Sequence, residues 1–278
     1  MNRVAVGLLA AAVTAGTAAV LRSRPPAGPA RWKRTNFRGR EVDLLGGVAA
    51  AGGAVAGAVS AGGAAGAGAA LVAATGGVLG AIDDADTTSA SKGLRGHLAA
   101  LRDGEVTTGL LKLVGISTSA LAAAGIATGF GRRGGSAGSV PARAADVAAS
   151  GVLIAGTANL VNLFDLRPGR ALKLVGLVCA PLTAVPGATG RVAAAGLGTL
   201  AAAWESDLAE ETMLGDAGAN ALGAIAGTAL ALAPVARVRY VATGVVVALV
   251  LLSEKISFSR VIGATGWLRA IDDWQRAE

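Results

Sequence analysis

Residues 44–82 read LLGGVAAAGGAVAGAVSAGGAAGAGAALVAATGGVLGAI, and this stretch decides the fold. It is a run of 39 uncharged residues between Asp43 and Asp83. A membrane-spanning helix needs about 20 apolar residues, because each helical residue advances ~1.5 Å across a hydrocarbon core of ~30 Å. The run is therefore long enough for two crossings, and Gly62-Gly63 marks the turn between them.

The composition of the whole chain supports the same interpretation. Of 278 residues, 53% are hydrophobic and 15% charged, and the mean hydropathy is +0.58. The 42 glycines and the many alanines suit helices that pack closely in lipid, because small residues let backbones approach. A disordered low-complexity chain would be polar and charged instead. The composition predicts an all-α, polytopic transmembrane helix bundle.

Charged residues divide the chain into about nine apolar segments, within a range of eight to ten. They cover 4–21, 44–60, 63–82, 110–130, 147–164, 174–190, 192–204, 217–236 and 240–253. The seventh and ninth segments are short for a span and need neighbouring arginines that snorkel. The first segment can also be interpreted as a cleavable signal peptide, although the seven basic residues that follow it favour an uncleaved helix. We expect one transmembrane bundle over 1–253 and a cytoplasmic amphipathic tail over 254–278.

The basic residues predict the orientation of this bundle. When the segments alternate across the membrane, 18 of the 25 Lys and Arg residues fall on one side. Because Lys and Arg mark the cytoplasmic side, the N-terminus is expected outside and the C-terminus inside. Every acidic residue except Asp146 falls on the same side. The net charge of +7 therefore reflects membrane topology, and a nucleic-acid partner is not expected.

Asp83 and Asp84 end the third segment, where that segment meets the cytoplasm. Adjacent helical residues diverge by about 100°, so the two carboxylates face different partners. One can hold a metal while the other faces a substrate phosphate, since Mg²⁺ takes one or two carboxylates together with phosphates. The alternative is a pair of acids that marks where a helix leaves the membrane.

Asn159, Asn162 and Asp165 recur at i, i+3 and i+6 and form a polar stripe at the end of the fifth segment. Polar side chains at membrane depth face a bundle interior or a wet cavity. The alternative role is hydrogen bonding between helices.

Asp216 lies just before the eighth segment, and its flanking glycines let a ligand approach the backbone. Its alternative role is a first-turn acid that the helix dipole stabilises. Lys92 and Arg95, in the loop after the third segment, can bind a diphosphate or simply mark the cytoplasmic side.

Taken in order, these motifs resemble the polyprenyl-phosphate N-acetylhexosamine-1-phosphate transferase family, the integral-membrane group of the MraY and WecA type. The resemblance spans roughly Arg34 to Asp273. Its landmarks are Leu44-Leu45-Gly46-Gly47, Gly80-Ala81-Ile82-Asp83-Asp84 with Ser91-Lys92, Thr107-Thr108-Gly109 with Lys112, Asn159 to Asp165, and Gly215 to Asn220.

The resemblance implies an all-helical fold with a cytoplasmic cleft in the bacterial inner membrane. It also implies a reaction in which a polyprenyl phosphate attacks the β-phosphate of a UDP-sugar and UMP leaves. Asp83, Asp84 and Asp216 would be catalytic, with Asp84 and Asp216 holding Mg²⁺, or Mn²⁺ in its place. Substrate-binding residues would be Asn159, Asn162, Asp165, Lys92, Arg95 and Lys112. The lipid bilayer, a second copy of the chain and envelope-assembly proteins are the further partners expected.

Two departures keep other functions open. The family stripe continues with a second polar residue where this chain has Pro168, and no histidine follows His97 where the family has a histidine-rich loop. The chain can therefore be a catalytically impaired member that binds a polyprenyl lipid or scaffolds other proteins. A small transporter is the third alternative, although transporters place their polar groups nearer the bilayer midplane.

Overall fold

The computed structural model describes residues 1–85, 93–128 and 139–276, and within these ranges it is a bundle of twelve α-helices. They are α1 (Arg3–Ser23), α2 (Leu45–Ala61), α3 (Gly63–Ala85), α4 (Gly93–Arg102), α5 (Thr108–Thr128), α6 (Val140–Phe164), α7 (Arg170–Thr183), α8 (Ala188–Leu208), α9 (Gly215–Ala231), α10 (Ala236–Ser253), α11 (Phe258–Ala264) and α12 (Gly266–Asp273). The predicted all-α class is confirmed. Each of the nine predicted segments overlaps a different long helix, and α4, α11 and α12 are additional short ones.

Five helices in the described ranges are long and apolar enough to cross a membrane: α1, α3, α5, α6 and α10. A sixth helix, α2, is also apolar but has 17 residues. Large apolar side chains are exposed on the outer helices, including Leu8 at 67% and Leu177 at 74%. Water would be a poor solvent for so much apolar surface. These helices indicate a membrane protein.

Proline and glycine move two helix ends away from the predicted segment ends. The predicted segment 174–190 is interrupted, because α7 ends at Thr183 and α8 begins at Ala188, after Pro186 and Gly187. Gly187 has a φ of +82°, which the chain needs to turn back. The same break lengthens α8 to 21 residues, so the short seventh segment is only the apolar part of a longer helix.

The core is built around α9, of whose 17 residues 15 are buried. Three neighbours approach it through glycine. A Cβ on Gly47 of α2 would lie 1.7 Å from the carbonyl oxygen of Leu214, and a Cβ on Gly80 of α3 would lie 2.4 Å from the backbone of Asp216. Gly223 of α9 likewise faces the backbone of Ala158 on α6. Backbones in such contact leave no room for side chains, which explains the glycine content of these helices.

Gly47→Ala is expected to destabilise the protein by about 1–3 kcal/mol, because the methyl group would displace the backbone of Leu214. Thermal unfolding in detergent measures this loss. Gly244→Ala is the matched control, since nothing lies within 4 Å of its Cβ position on α10 and alanine favours a helix by about 1 kcal/mol. Equal unfolding temperatures for the two variants would contradict the close α2–α9 contact.

The helix ends separate into two sets at opposite ends of the bundle. At one end, three arginines bind carbonyl oxygens near helix C-termini: Arg3 that of Thr183, Arg191 that of Ala61, and Arg239 that of Ala233. Arg239 also pairs with Asp146 at 3.0 Å. At the other end lie the C-terminus of α3, the N-termini of α5 and α9, and the acidic motifs. The long helices that contribute to these two sets therefore alternate in direction, as the charge count assumed.

A short hairpin joins α1 to α2 at the acidic end. Its strands are β1 (Lys33–Thr35) and β2 (Glu41–Asp43), which pair in an antiparallel register with Arg34 opposite Val42. The Asp43 carbonyl oxygen accepts a hydrogen bond from the N–H of Met213 at 2.9 Å. These strands are not among the predicted elements, because three residues are too few to show an alternating pattern.

Candidate active site at the acidic end of the bundle

Asp83, Lys112 and Asp216 form one cluster where α3 ends and α5 and α9 begin. Lys112 Nζ lies 2.5 Å from Asp83 Oδ2 and also bonds to Asp216 Oδ2. The Thr108 hydroxyl donates to Asp83 Oδ1 at 2.6 Å. The three charged side chains keep 17–26% of their exposure. The cluster is thus held by hydrogen bonds and remains accessible to a ligand.

Asp84 has a different partner from Asp83, although the two are adjacent. Its carboxylate oxygens accept hydrogen bonds from the backbone N–H groups of Asp216 and Ala217, both at 3.0 Å. Its carbonyl oxygen accepts a hydrogen bond from the Arg34 guanidinium. A carboxylate at a helix N-terminus satisfies otherwise unpaired N–H groups and complements the helix dipole. Asp84 therefore attaches the end of α3 to the start of α9.

Glycine makes this attachment possible. Gly215 has a φ of +54°, and a Cβ there would lie 2.9 Å from Asp84 Oδ2. Gly80, one helical turn before Asp84, lets α3 approach the backbone of Asp216. The glycines in both acidic motifs thus bring two helix ends close enough for Asp84 and Lys112 to bridge them.

A cavity of about 490 Å³ extends from this cluster between α5, α6, α9 and α10. Its wall is apolar apart from six residues with polar side chains, which are Lys112, Ser117, Asn159, Asn220, Ser253 and Glu254. Leu113 and Leu251 belong both to the lining and to the exposed apolar surface, so the cavity opens toward the side of the bundle. It offers an apolar space with an ammonium group at its polar end.

A second cavity of about 250 Å³ lies between the hairpin and the segments that follow α6 and α8. Asp165, Asp207 and Glu210 contribute carboxyls to its wall. Glu210 is buried, has a φ of +57° and pairs with Arg38 at 3.0 Å. The Arg167 guanidinium lies 4.6 Å from the ring centre of Phe37, a cation–π contact between the hairpin and the 165–169 loop.

Carboxyls dominate the electrostatics around the start of α9. Asp165 accepts a hydrogen bond from the N–H of Gly215 and lies within electrostatic reach of Asp84, Asp207 and Asp216. Burial raises the pKa of Asp165 well above its ordinary value, and those neighbouring carboxyls raise it further. Burial and the neighbouring carboxyls therefore disfavour the charged form of Asp165.

The structure brings together some of the predicted site residues and separates others. Asp83, Asp216 and Lys112 share one cluster, while Asp84 faces the backbone of α9. Asn159 lines the larger cavity and Asp165 the smaller one. Residues at i and i+6 differ by about 120° around a helix, so Asn159 and Asp165 face different cavities. Asn162 is partly buried and lines neither cavity. Lys92 and the side chain of Arg95 lie outside the described residues.

The predicted pair of Mg²⁺ ligands, Asp84 and Asp216, do not point at one place. Within the described parts of the chain, no group of three or more His, Cys, Asp or Glu side chains is placed to hold a metal ion. One oxygen each from Asp83 and Asp216 does converge on the Lys112 ammonium, which is itself a cation. Two carboxylates around one cation are a donor set of the kind that Mg²⁺ takes together with waters and phosphates. Asp83 and Asp216, and not the predicted pair Asp84 and Asp216, are therefore the carboxylates that could bind Mg²⁺ together.

Three residues of the site were not among the predicted site residues. Thr108 orients Asp83, Arg34 binds the carbonyl oxygen of Asp84, and Asn220 donates from its side chain to the carbonyl oxygen of Asp216 at 2.7 Å. Thr108 and Asn220 lie inside quoted motifs, one turn from a charged site residue, and that spacing could have identified them. Arg34 lies 50 residues from Asp84, and no local pattern connects them.

Comparison with known protein families gives no matching family model, and comparison with curated proteins gives no match.

Proposed function

We propose that the protein transfers a sugar-1-phosphate, HexNAc-1-phosphate in the first instance, from a UDP-sugar to a polyprenyl phosphate. The observation that carries the proposal is the position of Lys112, which pairs with Asp83 and Asp216 and also lines a largely apolar cavity. A lipid phosphate needs this combination, because its chain must stay in an apolar space while its head group meets cations. The product would start a cell-envelope glycan.

In this proposal an oxygen of the lipid phosphate attacks the β-phosphorus of the UDP-sugar. A new P–O bond forms, the bond from the β-phosphorus to the bridging oxygen breaks, and UMP leaves. Phosphoryl transfer depends on positioning and on neutralising charge more than on covalent help from the protein. Lys112 supplies a flexible ammonium that can turn from the carboxylates to a phosphate oxygen. Asp83 and Asp216 would hold Mg²⁺, which neutralises phosphate charge when bound.

Asp84 has a positioning role in the proposed mechanism. Its carboxylate fixes the first turn of α9, and Asp216 is in that turn. Loss of this contact would move Asp216 relative to Asp83, and displacements of about 1 Å can cost 10²-fold in rate. The predicted catalytic importance of Asp84 is thus kept, with a different physical reason.

The membrane arrangement belongs to the same proposal. Nine helices cross the bacterial inner membrane, with the N-terminus outside and the acidic end in the cytoplasm, where UDP-sugars are made. The support is the excess of Lys and Arg at that end together with the alternation of helix directions.

The direct test is transfer of label from radiolabelled UDP-GlcNAc, with other UDP-sugars in parallel, to undecaprenyl phosphate by the purified protein. A labelled lipid product that forms with Mg²⁺ and not with EDTA would support the proposal and identify the donor. A folded protein that binds the lipid and forms no product with any donor would contradict it.

Ala155→Phe is expected to raise the KM for polyprenyl phosphate at least tenfold while leaving the KM for the UDP-sugar near its original value. Ala155 lines the larger cavity, so a phenyl group there would fill space that the lipid chain needs. Ala148→Phe, at an exposed position on the same helix, is the matched control. A change in both KM values, or in neither, would argue against this cavity as the lipid site.

The second candidate function is a catalytically impaired protein that binds polyprenyl phosphate or scaffolds envelope-assembly proteins. The observation that favours it is Lys112, which sits between the carboxylates where a metal would bind. If Lys112 is a permanent counter-ion, Mg²⁺ should change neither lipid binding nor thermal stability. That outcome, together with undetectable transfer, would select this candidate.

A further inference from the structure

The C-terminal tail folds back onto the acidic end of the bundle through buried charges. Arg170, the first residue of α7, makes a bidentate pair with Asp272 of α12, with both contacts at 2.8 Å. Arg276 also binds Asp272, at 3.0 Å, and Lys173 donates to the carbonyl oxygens of Asp272 and Trp274. Burial alone would raise the pKa of Asp272, but hydrogen bonds from Arg170 and Arg276 outweigh it and hold that pKa below its ordinary value. The tail is therefore attached as a defined structure.

This attachment leaves one face of α12 without cover from the described parts of the chain. Trp267 and Ile271 recur at i and i+4 on one side of α12, and they keep 67% and 53% of their exposure. Trp274, just after the helix, packs edge-to-face against Trp204 of α8. Asp272, which holds the helix to the bundle, lies about 100° from Ile271 around the helix axis. The bundle thus contacts the Asp272 side of α12. The side that carries Trp267 and Ile271 stays available to a second surface.

We propose that this apolar face of α12 docks into the membrane surface and that the docking fixes the 165–169 loop beside the candidate active site. The face follows α10 in the chain with only the short helix α11 between them, and α10 ends at Ser253 with Leu251 and Leu252 exposed. Tryptophan is enriched at the level of lipid headgroups, where its ring is apolar and its N–H is polar. Lys255 and Arg260, exposed between α10 and α12, would meet anionic headgroups. Position, aromatic content and charge all fit a bilayer rather than a protein partner.

The tail reaches the 165–169 loop through two contacts. Arg276 donates to the carbonyl oxygen of Pro168, and Arg170 begins α7 at the point where the loop ends. Gly169, at a φ of +72°, donates its N–H to Asp207 at 2.6 Å. The same short loop carries Asp165, whose carboxyl contacts the start of α9. A force that holds α12 against the membrane therefore also restrains Asp165 and Gly169.

The docking is tested by spin labels on opposite sides of α12. Ile271→Cys and, as the matched control, Arg269→Cys are each labelled with a nitroxide in a Cys179→Ser background. The protein is placed in nanodiscs of phosphatidylethanolamine and phosphatidylglycerol. We expect the label at 271 to collide more with oxygen than with a water-soluble nickel reagent, and the label at 269 to show the reverse. Nickel access at 271 equal to that at 269, as water or a polar partner would give, would overturn the docking.

The coupling is tested by hydrogen exchange, which requires no catalytic activity. Trp267→Ser combined with Ile271→Ser is expected to speed amide exchange of Gly169 about tenfold in the same nanodiscs, with faster exchange confined to the loop and the tail. Leu8→Ser, an equally exposed apolar position on α1, should leave the loop unchanged. Unchanged exchange at Gly169 in the tail variant, or faster exchange throughout the bundle, would overturn the coupling.

Discussion

Asp216→Asn is expected to lower the rate of sugar-phosphate transfer by about 10³-fold or more while the protein stays folded. Asparagine keeps the shape of the side chain but removes the charge that faces the shared cation position. The hydrogen bond from the Asn220 side chain to the carbonyl oxygen of residue 216 does not depend on the substitution. Labelled lipid product, measured at saturating concentrations of both substrates, gives the rate, and thermal unfolding in detergent reports the fold.

Asp103→Asn is the matched control, because it makes the same change at an exposed acid of the segment before α5. Its rate should equal that of the unmodified protein. A normal rate for Asp216→Asn would remove Asp216 from the site and with it the proposed mechanism. A normal rate for Asp84→Asn would remove only the positioning role of Asp84.

Lys112→Met is expected to destabilise the protein by about 2 kcal/mol when Mg²⁺ is absent. Methionine keeps the length of the side chain, but it leaves Asp83 and Asp216 as neighbouring carboxylates with no cation between them. The loss should be smaller than the ~3–5 kcal/mol of a fully buried pair, because these side chains keep about a fifth of their exposure. Lys33→Met breaks the exposed pair with Glu41 and should cost about 0.5 kcal/mol or less.

Millimolar Mg²⁺ distinguishes the two candidate functions in the same variant. If Asp83 and Asp216 form a cation site, Mg²⁺ should raise the unfolding temperature of Lys112→Met more than that of the unmodified protein, because ligand binding stabilises the folded state. Adding Asp83→Asn should recover part of the stability lost in Lys112→Met and abolish the Mg²⁺ effect. A Mg²⁺ effect of the same size in all three proteins would contradict a cation site at these carboxylates.

The helical core could be predicted from the sequence because its physical cause is local. The uncharged run 44–82 does form two helices joined at Gly62, since a lipid-exposed backbone must satisfy its own hydrogen bonds. The helix ends were less predictable. α7 ends early because Pro186 and Gly187 disrupt a run that stays apolar, so charge alone misplaced the boundary.

The residues of the site could be predicted better than their partners. The sequence placed Asp83, Lys112 and Asp216 near one another only through the family resemblance, and their three-way contact depends on how α3, α5 and α9 cross. The role of Asp84 could not be inferred, because a carboxylate at the end of α3 carries no information about which N–H groups lie opposite it. The contact of Arg34 with Asp84 joins residues 50 positions apart, and it depends on a hairpin whose three-residue strands are too short to show an alternating pattern.

The carboxylate of Asp84 at the start of α9 has one further consequence for how the site can recognise phosphate. The N-terminus of a helix is normally a strong place to receive a phosphate, because its N–H groups point outward and its dipole favours negative charge. In this protein the chain's own carboxylate already fills that place, with both oxygens bound. If the protein binds a nucleotide or lipid phosphate as proposed, the start of α9 is not free to receive it, and side-chain ammonium or bound metal would recognise it instead. The affinity for that phosphate should then fall as ionic strength rises.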